Sequence, residues 1–569
     1  SAFVISNLHR TTPSPFPPTQ PPLHNPFQPP STPFPPPTTH VMAEPTDVSI
    51  NPRHLPSAQD EVLSVGQASV SRSVMLAETP STPVVGGASS WMPSPALFSP
   101  TFSNLKDLDV EKLKKPGAAR QEYRRKLLRG ATVLIVMGGY SGKKFIYERL
   151  KELGVKVVVM DQPESIWAAE AEKGTIHAFM ELDFHDYSAI FENAMKLVES
   201  AGFEFNAVTT YYEDAVPLAA RIAVTLGLDT NPVEACDRAR NKNTTRAVMQ
   251  AAGLPTPAHA TVRSAEDLEA ACKVVGFPAI LKPSFGASSL GVCRVENEEE
   301  AKVKFEQIMS ECTPEVDVVF AQGTELVMEE YYDGDEFDVD MVLSEGEVVY
   351  AKVSDNYACW EPWFQETGTC CPSQYPEDKQ AEIVQLATDT TLALGFKAGA
   401  FHVELKYTSR GPRMIEVNAR MGGVSVREMN LQAWGVDLVE EHVMTALKIP
   451  ARPYVPEKPL RFIAGIGINA PYSGTVTSGA TWIDFVEKDP LVTYLEIYQK
   501  AGQKVTGPEK GMPDWLAEVR VMSNDGMAEC LHYLRDLVEV KLKGRVPVEP
   551  TDPKAKRDFF FPSQSHPFC

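Results

Sequence analysis

The stretch Gly399–Asn418, GAFHVELKYTSRGPRMIEVN, decides how this chain is read. One apolar run carries Glu404. A Gly-Pro turn follows, and a second apolar run carries Glu416, with the amide of Asn418 two residues further on. Residues i and i+2 of a strand share a face, so Glu416 and Asn418 point the same way, and the turn folds the Glu404 strand back beside them. Two carboxylates and an amide are hard oxygen donors of the kind Mg²⁺ prefers, with coordination left over for phosphate oxygens and water. The competing reading is a pair of amphipathic strands with solvated acids.

Upstream segments supply what a site for a phosphate-bearing nucleotide and its metal would still need. In PAILKPSFGASSLGV (Pro278–Val292), Lys282 ends an apolar strand, and Ser284, Gly286, Ser288, Ser289 and Gly291 follow it. Small residues let backbone N–H groups approach phosphate oxygens, and the lysine adds a point charge. A plain surface hairpin would use the same residues without the lysine. Lys242, in CDRARNKNTTR, is taken alone a solvated helix lysine. ELVMEEYYDGDEFDVDMV (Glu325–Val342) joins two strands through an acidic junction. Backbone around Glu330–Tyr332 can read an adenine edge there, and Glu336 can accept from ribose hydroxyls; an acidic hairpin turn is the alternative.

Composition limits the partners. The 569 residues carry a formal charge of −21 and are 43% hydrophobic. No basic stripe exists to displace counterions from nucleic acid, and no run of 18 apolar residues offers a membrane span. The nine cysteines show no CxxC or Cys/His ligand spacing, which predicts free thiols, no zinc, and a reducing compartment. The expected location is cytoplasmic, with an organelle address in the head left open.

The Pro-rich, acid-poor head and its linker, 1–115, cannot bury enough apolar area to offset the entropy of ordering and are expected to be disordered. Alternating strands and helices over 116–230 predict a Rossmann-like parallel sheet. Its first turn, VMGGYSGKK (Val136–Lys144), fits neither a phosphate loop nor a dinucleotide fingerprint, so this domain is expected to position something rather than bind NAD. Residues 231–452 are rich in hairpins, 453–545 form a last small α+β block, and the tail 546–569 is expected to be unstructured.

Taken in order, a helix lysine, a strand lysine with a small-residue loop, an acidic hinge and an acid/acid/amide triad resemble the ATP-grasp superfamily. The ExNxR form at Glu416–Arg420 is specific to it. NARMGGVSVREMNLQAWGVDL and WFQETGTCCPS are similar to the carnosine synthase and bacterial L-amino-acid ligase family. The resemblance implies a multidomain α/β and α+β ATP-grasp fold whose last block is a lid. It implies ATP and two Mg²⁺ or Mn²⁺ ions as cofactors, the metals on Glu404, Glu416 and Asn418. Lys242 and Lys282 would hold the phosphates beneath the Ser284–Gly291 loop, Glu329 would meet the adenine amino group, Tyr332 the ring edge and Glu336 the ribose. Arg420 and Arg427 would grip the transferred phosphate and a substrate carboxylate, Glu366 a substrate ammonium, and His402 would be structural. The implied activity joins an amino-acid carboxylate to an amine through an acyl phosphate, with β-alanine and L-histidine as the first pair to consider. Small amino acids are the expected partners, with neither nucleic acid nor membrane, and a homo-oligomer is left open. A carboxylase or purine-type enzyme on the same nucleotide site and a non-catalytic nucleotide-binding scaffold are the alternatives.

Overall fold

The computed structural model describes residues 103–552, apart from 107, 287–288 and 315–317. The head up to 102, Ser288 and the tail from 553 lie outside the described residues.

The first unit is a four-stranded parallel sheet, in the order Ala178–Glu181, Lys156–Asp161, Thr132–Val136, Ala207–Thr209. Its apolar strands are covered by helices such as Lys144–Glu152, Ile190–Ala201 and Val216–Thr225, as a sheet buried on both faces requires. Helices Val233–Arg240 and Lys242–Ala251 then lead into a small antiparallel sheet: His259–Val262, Leu326–Glu330, Ala279–Pro283, Cys293–Val295. This sheet carries the strand lysine Lys282.

The largest element is an eight-stranded antiparallel sheet, ordered Gly411–Asn418, Gly399–Thr408, Asp335–Ser344, Glu347–Asn356, Gly368–Cys371, Phe462–Asn469, Trp515–Ser523, Val492–Ile497. Phe337, Val339, Phe401, Val403 and Leu405 pack one face against helix Glu377–Leu394. Alternation then turns His402, Glu404 and Lys406 to the other side.

In the last block, Phe462–Asn469 hydrogen-bonds to Gly368–Cys371, so its strands extend the central sheet. Two sequence expectations change here. The segment expected to be loose up to 115 includes a helix, Val110–Lys114, capped by Asp109 and burying Leu113. Past residue 546, Val548–Pro550 pairs with Gly474–Val476. In both places a single buried apolar side chain, Leu113 or Val548, anchors a stretch whose composition alone reads as unfolded.

An ionic network ties the parallel-sheet unit to the larger sheet's helices. Arg124, on helix Ala118–Leu128, is buried between Glu440 and Glu441, and its Nη1 donates to Glu441 Oε1 at 2.7 Å. Arg149 reaches Asp437 at 3.0 Å and Glu440 at 2.9 Å. Removing one partner leaves the others as uncompensated buried charge, which costs about 3–5 kcal/mol. Arg124→Ala should therefore lower unfolding stability by about that amount, read as a drop in the urea midpoint; a change below about 1 kcal/mol would mean the network contributes as little as a surface pair.

Candidate functional site

Three strands bring the predicted acids together. Glu404 faces Glu416 across the hairpin, and His402 faces Asn418. A bulge lies between Glu404 and Leu405 in this ladder, where register jumps from Glu416 to Met414 and leaves Ile415 unpaired. The extra residue resets the alternation, so Met414 enters the core while Glu416 and Asn418 face the cleft. Asn418 Nδ2 donates to Glu404 Oε1 at 3.0 Å and to Glu416 Oε1 at 3.3 Å.

An open cleft of about 160 Å³ lies between the two antiparallel sheets. Lys242, Lys282, Gly286, Ser289, Glu330 and Tyr332 line one side, and Glu336, Glu366, Glu404 and Glu416 line the other. Lys242 begins its helix, where its backbone N–H donates to Ser284 O at 3.1 Å. Its Nζ lies 2.7 Å from Glu416 Oε2. Burial by itself raises the Glu416 carboxyl, but Lys242 outweighs this, with Lys282 and Arg240 adding to it, and holds Glu416 down at about 2. Glu404 has no lysine at its side, only the His402 ring with Nε2 at 3.9 Å. Burial and the charge on Glu416 push its carboxyl well above the usual range, against the pull of His402. This imbalance fits a cation site, because two carboxylates share one lysine. Among the described residues no three His, Cys, Asp or Glu side chains are grouped to hold an ion. Glu404, Glu416 and an Asn418 oxygen would hold metal only with phosphate and water completing the shell.

Glu329, expected at the adenine amino group, lines the cleft and is at the same time a counter-ion. It accepts from Arg246 Nε at 2.9 Å and pairs with Lys282. Burial raises its carboxyl, yet Arg246 and Lys282 outweigh that and hold it at about 2. Lys282 shares this one carboxylate with Arg246, so burial still draws its ammonium below the usual value. Ser284 is fully buried; its Oγ accepts from Asn243 Nδ2 at 2.7 Å, bracing the loop rather than lining the cleft. A Cβ on Gly291, at φ +72°, would stand 2.7 Å from Cys312 Sγ, so this glycine serves packing inside the small sheet's lobe. Arg427 is held by Asp437 through two bonds of 2.8 and 2.7 Å, away from the cleft. Arg420 is nearer: Nη2 donates to Asn418 Oδ1 at 3.2 Å, and Nε lies 3.3 Å from Glu213 Oε2.

Glu336 lines the cleft opposite Lys406 in the ladder; burial raises its carboxyl, and Lys406 opposes the shift. Burial likewise raises Glu366, with His402 and Arg420 opposing. His402 is buried against Asp340 at 2.9 Å, and Asp340 in turn accepts from Asn430 Nδ2 at 2.6 Å. That is a structural place beneath the acids. The sequence reading passed over Arg246 and Lys406. Arg246 follows Lys242 by one helical turn, and Lys406 follows Glu404 by one strand repeat, so both spacings were available as signals.

Two family models match the chain: an ATP-grasp domain over residues 275–428 and an ATP-grasp N-terminal domain over residues 147–230. Human carnosine synthase 1 is 32% identical over 349 residues, covering 59% of this chain and 42% of its own length. The alanine–anticapsin ligase of Bacillus subtilis is 27% identical over 348 residues, covering 54% of this chain and 73% of its own. The chain thus spans less than half the length of the carnosine synthase it matches. An L-amino acid ligase structure from Bacillus licheniformis superposes with a TM-score of 0.63 at 24% identity, covering 74% of this chain and all of its own. The fold and both domain models thus agree in making residues 147–230 and 275–428 similar to ATP-grasp domains.

Proposed function

We propose that this protein is an ATP-dependent carboxylate–amine ligase that forms an amide, as in a dipeptide, releasing ADP and phosphate. The observation that carries this reading is the meeting of Glu404, Glu416 and Asn418 opposite Lys242 and Lys282 in one cleft. Similarity to carnosine synthase 1 and alanine–anticapsin ligase supports amino acids as substrates, with β-alanine and L-histidine as the first pair to test.

A carboxylate is a poor acyl donor because oxide would have to leave. Phosphorylation makes an acyl phosphate, from which phosphate leaves readily once an amine attacks. Lys242 and Lys282 hold the nucleotide phosphates, with backbone from Gly286 and Ser289 above them. Backbone beside Tyr332 meets the adenine edge, and Glu336 accepts from the ribose. When bound, two divalent ions on Glu404, Glu416 and Asn418, Mg²⁺ or Mn²⁺, neutralise charge on the phosphate oxygens. Arg420, beside Asn418, takes the phosphate as it becomes acyl-bound. Glu329 and Arg246 keep Lys282 in place from behind. Water has to be kept from an intermediate that hydrolyses easily.

The deciding experiment is a phosphate-release screen over pairs of amino acids, with mass detection of the amide. ADP release that requires bicarbonate and no amine would point to a carboxylase instead. Glu416→Gln should lower turnover by two or more orders of magnitude, and a rate within about threefold of wild type would remove Glu416 from the metal site. Lys282→Ala should chiefly raise the KM for ATP; unchanged KM and kcat would exclude it from phosphate binding.

A further inference from the structure

The parallel sheet reverses its strand order at Thr132–Val136, which has Lys156–Asp161 on one side and Ala207–Thr209 on the other. In open sheets of this kind, ligands bind in the crevice outside the carboxyl ends of the strands at such a reversal. Loops 137–143 and 210–214 leave the sheet there. The first loop is tightly built. Met137 has φ +56° and Gly139 φ +76°. Gly138 N donates to Asp161 at 3.1 Å, Tyr147 Oη donates to Gly138 O at 2.8 Å, and Trp167 Nε1 donates to Gly139 O at 2.8 Å. A Cβ on Gly138 would stand 2.3 Å from the Trp167 ring, and one on Gly139 2.9 Å from Cδ of Lys143. Gly138 therefore makes room for Trp167, and Gly139 lets Lys143 lie across its own loop. Its Nζ donates to Tyr211 O and stands 4.9 Å from the centroid of the Tyr212 ring.

The charged groups around Lys143 come from three segments. Glu213 and Asp214 follow the last strand, and Arg420 follows the metal-site hairpin; Tyr140, on the same loop as Lys143, also lies in the field of Arg420. Glu213 is matched by Arg420 and Asp214 by Arg240. Burial first, and then the like charge of Arg420, bring the Lys143 ammonium down to about 7, against the pull of Glu213 and Asp214. Through Arg420 the crevice is one side chain from Asn418. Amide formation needs a neutral amine, whereas an amino acid arrives as an ammonium ion. The other groups given roles above are cations or carboxylates committed to binding.

We propose that Lys143 is the base that deprotonates the amine substrate, and that the crevice at the strand reversal receives that substrate. This rests on the ligase reading. Neutral Lys143 Nζ takes one proton from the substrate ammonium, giving a free amine and a lysine ammonium. The amine lone pair forms the C–N bond, the acyl C–O bond breaks, and phosphate leaves with that electron pair. The second N–H proton passes to the departing phosphate or to water, and Lys143 returns its own proton to solvent.

The test compares Lys143→Met with the wild type at two nucleophiles. Hydroxylamine is neutral at pH 7 and needs no base; trapping with it reports acyl phosphate formation. The variant should make hydroxamate at the wild-type rate, with an unchanged KM for ATP, which also shows that it is folded. With an amino acid as nucleophile, its kcat/KM at pH 7 should fall by about 10²–10⁴-fold. The wild-type profile should rise with pH and level off through about 7, because the neutral lysine is the active form. The variant should lose this break and keep rising toward the pKa of the free amine. A retained break near 7, a rise in amine KM alone, or loss of hydroxamate in the variant only would each overturn the proposal. No hydroxamate from the wild type with any carboxylate would instead sink the ligase reading, and this proposal with it.

Discussion

Two carboxylates side by side in a cleft cannot both carry charge unless positive charge is brought to them. That constraint organises this protein. The bulged hairpin of Gly399–Thr408 and Gly411–Asn418 sets Glu404 opposite Glu416, and Lys242 answers only one of them. The deficit leaves room for divalent cations and, with them, for the phosphates that Lys242 and Lys282 are placed to meet. The bulge is the local device. Without the unpaired Ile415, either Met414 would face the cleft or Glu416 would face the core.

Around this centre, cations are held in place by buried acids. Lys282 leans on Glu329, which is fixed by Arg246; Arg246 also donates to Ile415 O at 2.7 Å, tying the small sheet's charge cluster to the bulge itself. Arg427 leans on Asp437 and Arg124 on Glu440 and Glu441. Each such pair forfeits hydration and contributes less to net stability than to geometry. The result is a set of cations with little freedom.

The parallel-sheet unit contributes by position. Its strand reversal carries Lys143, whose charged neighbours include Arg420 from the metal-site hairpin's end. A broken phosphate-loop motif, VMGGYSGKK, is thereby given a physical use. Its Gly139 lets Lys143 lie across the loop, under the influence of an arginine from another segment.

By itself the sequence determined whatever depends on near neighbours. Strand alternation made Glu416 and Asn418 share a face, the Gly-Pro turn returned Glu404 beside them, and the apolar run before Lys282 placed that lysine at a strand end. The helix Glu377–Leu394 and most strands were legible for the same reason, since period and punctuation are local. Only the tertiary structure decided which cation meets which anion. Only the fold pairs Glu329 with Arg246, 83 residues away, and brings Arg427 to Asp437. It also joined Phe462–Asn469 to the central sheet, because an exposed strand edge takes whichever partner the fold delivers. Ion pairing and sheet closure depend on distance in space, which spacing along the chain does not encode.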